Sequence, residues 1–223
     1  SSYSWHKTAG QLVAAAVMAS QDIGTKVANG FLNGVGIPEW ISKYELTDPS
    51  TPITPAYIIG VIIIAMFILG ACNAANFIDG LDGLLSGIVA ITAIGILAIT
   101  LFALEALTPE KIERIESLLP VDSIGMRGLD GITLLGANIV LCMAVLGAVL
   151  GFLIYNFNPA SIFLGDTGSL LLGYLCIVMV LLLGEHGQTH LVIAGLIVFA
   201  LPIMDTALAI TRRKMAGKPI SEP

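Results

Sequence analysis

The chain carries little charge for its length. Only 12% of its 223 residues are Asp, Glu, Lys or Arg, whereas 56% are hydrophobic, and the mean hydropathy is +0.92. Soluble domains usually carry about twice that share of charge. Runs of roughly 20 nearly uncharged residues recur, which is the length that crosses a hydrocarbon core, and they lack the alternation of barrel strands. The composition therefore predicts an all-α fold, a polytopic transmembrane helix bundle.

Basic residues and paired cysteines are also scarce. Ten Lys and Arg residues face sixteen Asp and Glu residues, so the net charge is −6. With no basic face to neutralise phosphates, nucleic acid is excluded as a partner. Cys72, Cys142 and Cys176 lie in separate apolar runs without paired spacing. This excludes a disulfide framework and favours packing roles inside helices.

The apolar runs predict about six membrane helices within a single membrane domain, residues 1–223. The predicted segments are residues 7–20, 55–77, 84–107, 132–155, 169–183 and 191–211. Residues 21–54 and 108–130 form two long connections, the second beginning with an amphipathic helix. Gly147 and Gly151, four residues apart, predict a close helix-packing face.

The densest basic cluster follows the sixth segment, in "TRRKMAGK", residues 211–218. The positive-inside rule places this end in the cytoplasm. Counting crossings backwards then puts Lys7 and the turns at residues 77–83 and 156–168 on the cytoplasmic side. The connections 21–54, 108–130 and 184–190 become outer-face loops.

A first polar motif, "NAANFIDGLDGLLSG" at residues 73–87, interrupts two of these apolar runs. Asp79 and Asp82 are three residues apart, so their side chains share one face of a helical turn. A charged Asp in mid-membrane costs about 2.5 to 3.5 kcal/mol and needs a cation, a proton or a water-filled cleft. The alternative is an ordinary capping turn at the membrane interface.

A second polar motif is "YNFNPASIFLGDTGSLLLG", residues 155–173. It places Asp166 in a turn before the fifth segment, which Thr167 or Ser169 is predicted to cap. The free N–H groups of a helix start suit a phosphate, and Phe163 suits stacking on a planar base. The alternative is a plain helix cap with a core phenylalanine. The crossing count places Asp166 on the same face as the first motif, and several carboxylates with nearby amides suit a hard cation, most naturally Mg²⁺.

Two other parts of the sequence resemble a metal-binding site in their residues. "GLDGI", residues 128–132, nearly repeats the "GLDGL" of the first motif. The crossing count places Asp130 on the outer face, where we expect it to be the N-cap of the fourth segment. His186 and His190 also fall on the outer side, so we do not expect them to bind a metal.

The stretches "NFIDGLDGLLSG" and "FNPASIFLGDTGSLLLG" closely resemble two signatures of the polyprenyl-phosphate N-acetylhexosamine-1-phosphate transferases. These membrane enzymes move a sugar 1-phosphate from a UDP-sugar to an undecaprenyl-type lipid phosphate. The resemblance implies UDP-N-acetylhexosamine and polyprenyl phosphate as substrates, and Mg²⁺ as cofactor with Mn²⁺ as its substitute. It also implies a multi-pass plasma-membrane protein whose site faces the cytoplasm, and it suggests a homodimer.

Carried over residue by residue, the resemblance assigns seven site residues. The catalytic ones are Asp79, Asp82 and Lys7, the substrate-binding ones are Asn76, Asn156 and Phe163, and the metal ligand is Asp166. Within these roles, Lys7 lies near the pyrophosphate, Asn156 helps to hold the nucleoside, and Phe163 stacks on the uracil.

The family also has an Asp-Asp motif upstream of the segment at residues 7–20, a His-rich motif beyond residue 223, and about ten helices. We therefore expect this chain to be the central part of a longer transferase, inactive alone. Two other functions stay open: a phospho-N-acetylmuramoyl-pentapeptide transferase, which the tail "RRKMAGKPISEP" disfavours, and a cation-coupled secondary transporter with acids at the membrane midplane. A non-catalytic scaffold is a third alternative.

Overall fold

A computed structural model describes residues 2–20, 55–105, 127–186 and 189–198, with isolated helical positions at 204, 208, 211, 212 and 215. Six α-helices account for most of these residues. They are α1 (Ser2–Ser20), α2 (Pro55–Ile78), α3 (Leu84–Glu105), α4 (Arg127–Asn156), α5 (Gly165–Leu182) and α6 (Thr189–Val198). A single 3₁₀ turn, Leu183–His186, follows α5. The described part of the chain contains no strand, which confirms the predicted all-α fold.

Four helices are long and apolar enough to cross a membrane. These spans are Tyr57–Ile78, Leu84–Glu105, Leu134–Asn156 and Gly165–Leu182. They confirm the second to fifth predicted segments. The first segment is helical, but α1 is not among the four spans, because polar side chains such as Lys7 and Gln11 lower its hydropathy. The sixth is described over residues 191–198, which belong to α6, and at the isolated helical positions 204, 208 and 211. Most of the two long connections lies outside the described residues.

The bundle packs chiefly through two helix pairs, α3 with α4 and α2 with α5, while α1 packs on α2. Its core consists of fully or nearly fully buried aliphatic side chains. Among the largest of them are Ile64, Ile68, Val89, Ile96, Ile177 and Val180. The three cysteines are buried and unpaired, which agrees with the packing roles expected from the sequence.

One polar cluster is buried within this core. The Asn138 amide of α4 donates to the Thr100 hydroxyl of α3 at 3.2 Å and to the Met179 carbonyl of α5 at 3.1 Å. Asn138 and Thr100 have no exposed surface. Because hydrocarbon offers these groups no alternative partner, their hydrogen bonds hold the three helices in one register.

Among the described glycines, Gly173 of α5 is the one that a neighbouring helix approaches most closely. A Cβ at this position would lie 2.6 Å from the Ala71 carbonyl oxygen and 2.9 Å from the Cys72 Cα, both backbone atoms of α2. The predicted packing face at Gly147 and Gly151 is wrong for the described part of the chain, where a Cβ at either position would meet nothing within 4 Å. A four-residue glycine spacing makes close packing sterically feasible, but the neighbouring helix decides whether it is used.

Two predicted helix caps also need correction. Helix α4 begins at Arg127, so Asp130 lies inside its first turn and is not the N-cap. Helix α5 begins at Gly165 with Leu164 as its N-cap, without a side-chain cap, so neither Thr167 nor Ser169 caps it. In both cases the helix starts a few residues earlier than the polar residues suggest. Asp130 nevertheless lies in the first turn of a 30-residue helix, about 40 Å from its last residue.

Replacing Gly173 with Ala should destabilise the protein by about 1 to 3 kcal/mol, because the new methyl group collides with backbone that cannot move aside. Thermal unfolding of the detergent-solubilised protein, followed by size-exclusion chromatography, measures the effect. Gly147→Ala is the matched control, and it should leave the melting temperature unchanged or slightly raised. Equal melting temperatures for the two variants would contradict the close contact.

Candidate active site

The polar motifs meet at one end of the bundle. Helix α2 ends there at Ile78, α3 begins at Leu84, α4 ends at Asn156 and α5 begins at Gly165. Lys7, near the start of α1, reaches the same end through its contact with Asp166. All seven side chains predicted from the sequence therefore lie at this end, as the crossing count predicts for the two motifs.

Asp166 is the centre of the charged part of the site. The Lys7 ammonium forms an ion pair with its Oδ2, and the Asn76 amide donates to its Oδ1 at 3.0 Å. The Asn76 Nδ2 also lies 2.9 Å from the hydroxyl of Ser169, which is fully buried. The Asp166 side chain keeps about half of its surface exposed, 55%. A carboxylate from α5 is thus oriented by a cation from α1 and an amide from α2 while it stays open to a ligand.

Asp79 follows the last residue of α2, where its N–H continues the helix by donating to the Ala75 carbonyl at 3.2 Å. Partial burial raises the pKa of its carboxyl above the ordinary value, and the negative charge of Asp166 raises that pKa further. The two carboxylates are therefore close enough to repel each other. A cation between them, or a proton on Asp79, relieves that repulsion.

Asn156 joins the two motifs. Its Oδ1 accepts hydrogen bonds from the Gly83 N–H and the Ser86 hydroxyl, both at 3.1 Å, and its Nδ2 donates to the Ile162 carbonyl at 2.9 Å. Gly83 has a φ of +72°, which glycine adopts without strain and which turns the chain into α3. Asn156 is 5% exposed. Both polar atoms of its amide take part in joining the α2–α3 turn to the loop after α4, so here Asn156 positions the site. Its predicted contact with a nucleoside stays a prediction.

Asp82 binds the loop at residues 157–164. Its Oδ2 accepts hydrogen bonds from the Ala160 N–H at 3.0 Å and from the Asn158 amide at 3.3 Å. This loop carries Phe163, which is 73% exposed and is not the core phenylalanine of the alternative interpretation. The site therefore has two parts. One is the charged part with Lys7 and Asp166, and the other is a loop with an exposed aromatic ring that Asp82 and Asn156 hold.

A groove of about 440 Å³ opens beside the charged part, between α1, α2 and α5. Its lining includes Lys7, Gln11, Ile68, Thr167, Leu171 and Tyr174. Polar groups lie at the end of the groove near Asp166, and aliphatic and aromatic side chains line the rest. Such a groove suits an amphiphile whose charged head lies beside Asp166 and whose tail follows the bundle.

Three residues of this end were not assigned to the site from the sequence: Gln11, Ser86 and Ser169, of which Ser169 was expected only as a helix cap. Ser169 is three residues after Asp166 and Gln11 is four after Lys7, so helical spacing already puts each pair on one face. Ser86 has no such signal. Its role depends on the approach of Asn156, which is 70 residues away in the chain.

The side-chain oxygens at this end are of the kind that a hard divalent cation prefers as ligands. Asp79 and Asp166 supply carboxylate oxygens, which Mg²⁺ prefers. The described residues contain no group of three or more His, Cys, Asp and Glu side chains arranged to hold a metal. Asp82 directs one of its oxygens to the loop instead. A metal at Asp166 would share that carboxylate with Lys7, and the assignment stays a prediction.

Comparison with known proteins agrees with the resemblance. A family model described as "Glycosyl transferase family 4" matches residues 2–184. The chain is 41% identical over 109 residues to a Bacillus subtilis (strain 168) protein named "Probable undecaprenyl-phosphate N-acetylglucosaminyl 1-phosphate transferase", which covers 48% of this chain and 30% of the relative. It is 44% identical over 79 residues to the Phospho-N-acetylmuramoyl-pentapeptide-transferase of Bacillus thuringiensis (strain Al Hakam), which covers 35% of this chain and 24% of the relative.

The chain thus spans less than a third of the length of these relatives in each match. The family model, in contrast, extends from the first turn of α1 through α5 to the 3₁₀ turn. It contains all seven predicted site residues together with Gln11, Ser86 and Ser169. The chain therefore belongs to glycosyl transferase family 4.

Proposed function

We propose that this chain forms the central part of a transferase that moves N-acetylhexosamine 1-phosphate from a UDP-sugar to a polyprenyl phosphate and releases UMP. The observation that carries the proposal is the meeting of Lys7, Asn76, Asp79 and Asp166 beside the amphiphilic groove. One end of the bundle thereby offers charged groups for a water-soluble pyrophosphate and an apolar groove for a lipid.

In the proposed reaction an oxygen of the lipid phosphate attacks the β-phosphorus of the UDP-sugar. The new bond forms as the bond from that phosphorus to the bridging oxygen breaks, and UMP leaves with the electron pair. Little covalent chemistry is needed from the protein, so positioning and charge stabilisation dominate. Lys7 supplies a fixed positive charge for the phosphoryl oxygens.

Mg²⁺ bound by Asp166, with Asp79 beside it, would neutralise the pyrophosphate and stabilise the leaving UMP. Asp79 has a second role that depends on its own environment. Partial burial and the neighbouring charge of Asp166 raise the pKa of its carboxyl, which makes the carboxylate a stronger base. A stronger base suits the removal of the remaining proton from the acceptor phosphate.

The loop at residues 157–164 is proposed to bind the nucleoside. Phe163 offers an exposed ring for stacking on uracil. Asp82 and Asn156 hold the loop in place through their bonds to Ala160 and Ile162. The uridine would then lie at the loop that leads into Asp166 and the lipid in the groove beside it, so that the reacting phosphates would meet at the charged part of the site.

We further propose that this end of the bundle faces the cytoplasm. The basic cluster of residues 212–218 follows the sixth predicted segment, and the positive-inside rule then assigns the site to the cytoplasmic side, where nucleotide sugars are dissolved. The transporter alternative requires acids near the midplane on broken helices. Here the acids lie at helix ends, which disfavours that alternative.

UDP-N-acetylmuramoyl-pentapeptide is a second candidate for the sugar donor, since one relative is named a phospho-N-acetylmuramoyl-pentapeptide-transferase. Assays with UDP-N-acetylglucosamine, UDP-N-acetylgalactosamine and UDP-N-acetylmuramoyl-pentapeptide distinguish the donors. We expect UMP release with a plain UDP-N-acetylhexosamine. Release with the pentapeptide donor alone would overturn that expectation.

Replacing Asp166 with Asn should lower UMP release from UDP-sugar and polyprenyl phosphate by about 10²-fold or more, because it removes a charge that the phosphates or their metal require. The assay uses the whole membrane protein in detergent, with and without a chelator. Asp130→Asn is the matched control, since the same substitution then falls at the far end of α4. Unchanged transfer by the Asp166 variant would exclude the metal assignment.

Replacing Phe163 with Ala should raise the KM for the UDP-sugar about tenfold, the loss expected when a base no longer stacks on an aromatic ring, and should change the KM for the lipid acceptor little. Steady-state kinetics with each substrate varied in turn measure both constants. Phe102→Ala removes an equally exposed ring, 71%, far from the site on α3 and should change neither constant. If the acceptor KM changed instead, Phe163 would not belong to the nucleoside part.

A further inference from the structure

Gln11 carries a buried side-chain amide whose nitrogen lacks a hydrogen-bond partner. It lies one helical turn after Lys7 on α1 and is 7% exposed. Its Oε1 accepts one long hydrogen bond, 3.4 Å, from the Asn73 amide. Its Nε2 is buried and has no hydrogen-bond partner, the one such side-chain atom in the described part of the chain.

A buried amide without an acceptor is unfavourable, because folding removes its water and supplies nothing in return. Apolar side chains of similar volume would avoid that loss at a helix contact. Gln11 lines the groove between α1, α2 and α5. An acceptor that enters this groove would satisfy the Nε2 group.

The chemistry of the groove narrows the nature of that acceptor. Residues four apart lie on one face of a helix, so Lys7 and Gln11 present an ammonium and an amide donor at the same end of the groove. Beyond them the wall is made of Ile68, Leu171 and Tyr174. Donors at the head and an apolar wall beyond match a phosphate monoester attached to a hydrocarbon chain.

We infer that Gln11 is a binding residue for the phosphate head of the acceptor lipid, which lies in this groove with its chain along Ile68 and Leu171. The inference rests on the proposed function and adds to it a residue and a location for the acceptor. The terminal torsion of Gln is soft and the Asn73 contact is long, so the amide turns toward a phosphate oxygen at little cost.

The test is direct binding of farnesyl phosphate to the whole purified protein in lipid nanodiscs, with farnesol and UDP as separate probes. Two variants remove the donor. Gln11→Glu keeps an acceptor for Asn73 but places a carboxylate oxygen against the phosphate, and Gln11→Met keeps the volume without a charge. Both should weaken farnesyl phosphate binding at least about tenfold, the value of a hydrogen bond to a charged group. Binding of farnesol and UDP should change less than about twofold by the same measure.

Asn73→Ala is the matched control, since it removes the α2 partner of Gln11 but leaves its Nε2 in place. It should retain farnesyl phosphate binding within about twofold, well below the loss expected from a charged hydrogen bond. Melting temperatures identify a variant that fails to fold. If Gln11→Glu does not fold, Gln11→Met decides the question.

Several outcomes would overturn the inference. Wild-type protein that binds UDP but not farnesyl phosphate would place the acceptor elsewhere, and the proposed transfer, which UMP release measures, would stand. Equal farnesyl phosphate affinity in wild type and both variants would exclude Gln11. An equal loss of UDP binding would show that Gln11 serves the nucleotide or the fold. Binding without any UMP release in the transfer assay would overturn the proposed function but leave the groove and Gln11 assigned.

Discussion

A carboxylate at the edge of a membrane needs a partner, because hydrocarbon solvates neither the charge nor an unpaired polar group. Asp166 obtains its partners from two other helices, an ammonium from Lys7 on α1 and an amide from Asn76 on α2. The geometry of this end of the bundle follows from that requirement. Away from it the buried interior of the described helices is mainly aliphatic, with a few polar groups such as Asn138 and Thr100 that bond to each other. Within the described residues, the charged groups of the site therefore gather at the end where water and lipid meet.

The site separates groups that hold its shape from groups that are free to act. Asn156 and Ser86 are buried and their polar atoms are already bonded, so they fix the α2–α3 turn against the loop after α4. Phe163 is exposed, Asp166 is half exposed and Gln11 is buried with an unused donor. Side chains whose polar atoms already bond within the protein keep the site in shape. Side chains with an unused donor or an exposed surface form new contacts with a ligand, and these contacts contribute to its binding free energy.

Much of this arrangement is predictable from the chain. Of the six predicted membrane segments, four are confirmed as spans, because a membrane imposes one length on every crossing. The parity of those crossings correctly brings Asp79, Asp82 and Asp166 to one end and sends Asp130 to the other. Predictions from short local motifs are less reliable. A Cβ at Gly147 or Gly151 would meet no described neighbour within 4 Å, whereas Gly173, in no obvious motif, is the described glycine that a neighbouring helix approaches most closely. Thr167 and Ser169 resemble caps but lie within α5.

The sequence by itself determined the all-α membrane fold, the order of the helices and which acidic residues share an end, because each of these depends on hydropathy and on counting. Only the tertiary structure decided the partners: Lys7 for Asp166, Asn156 for the turn at Gly83, and the groove that contains Gln11. Those contacts join residues 70 to 159 positions apart. Their existence depends on how helices rotate and approach each other, which no local pattern of residues encodes.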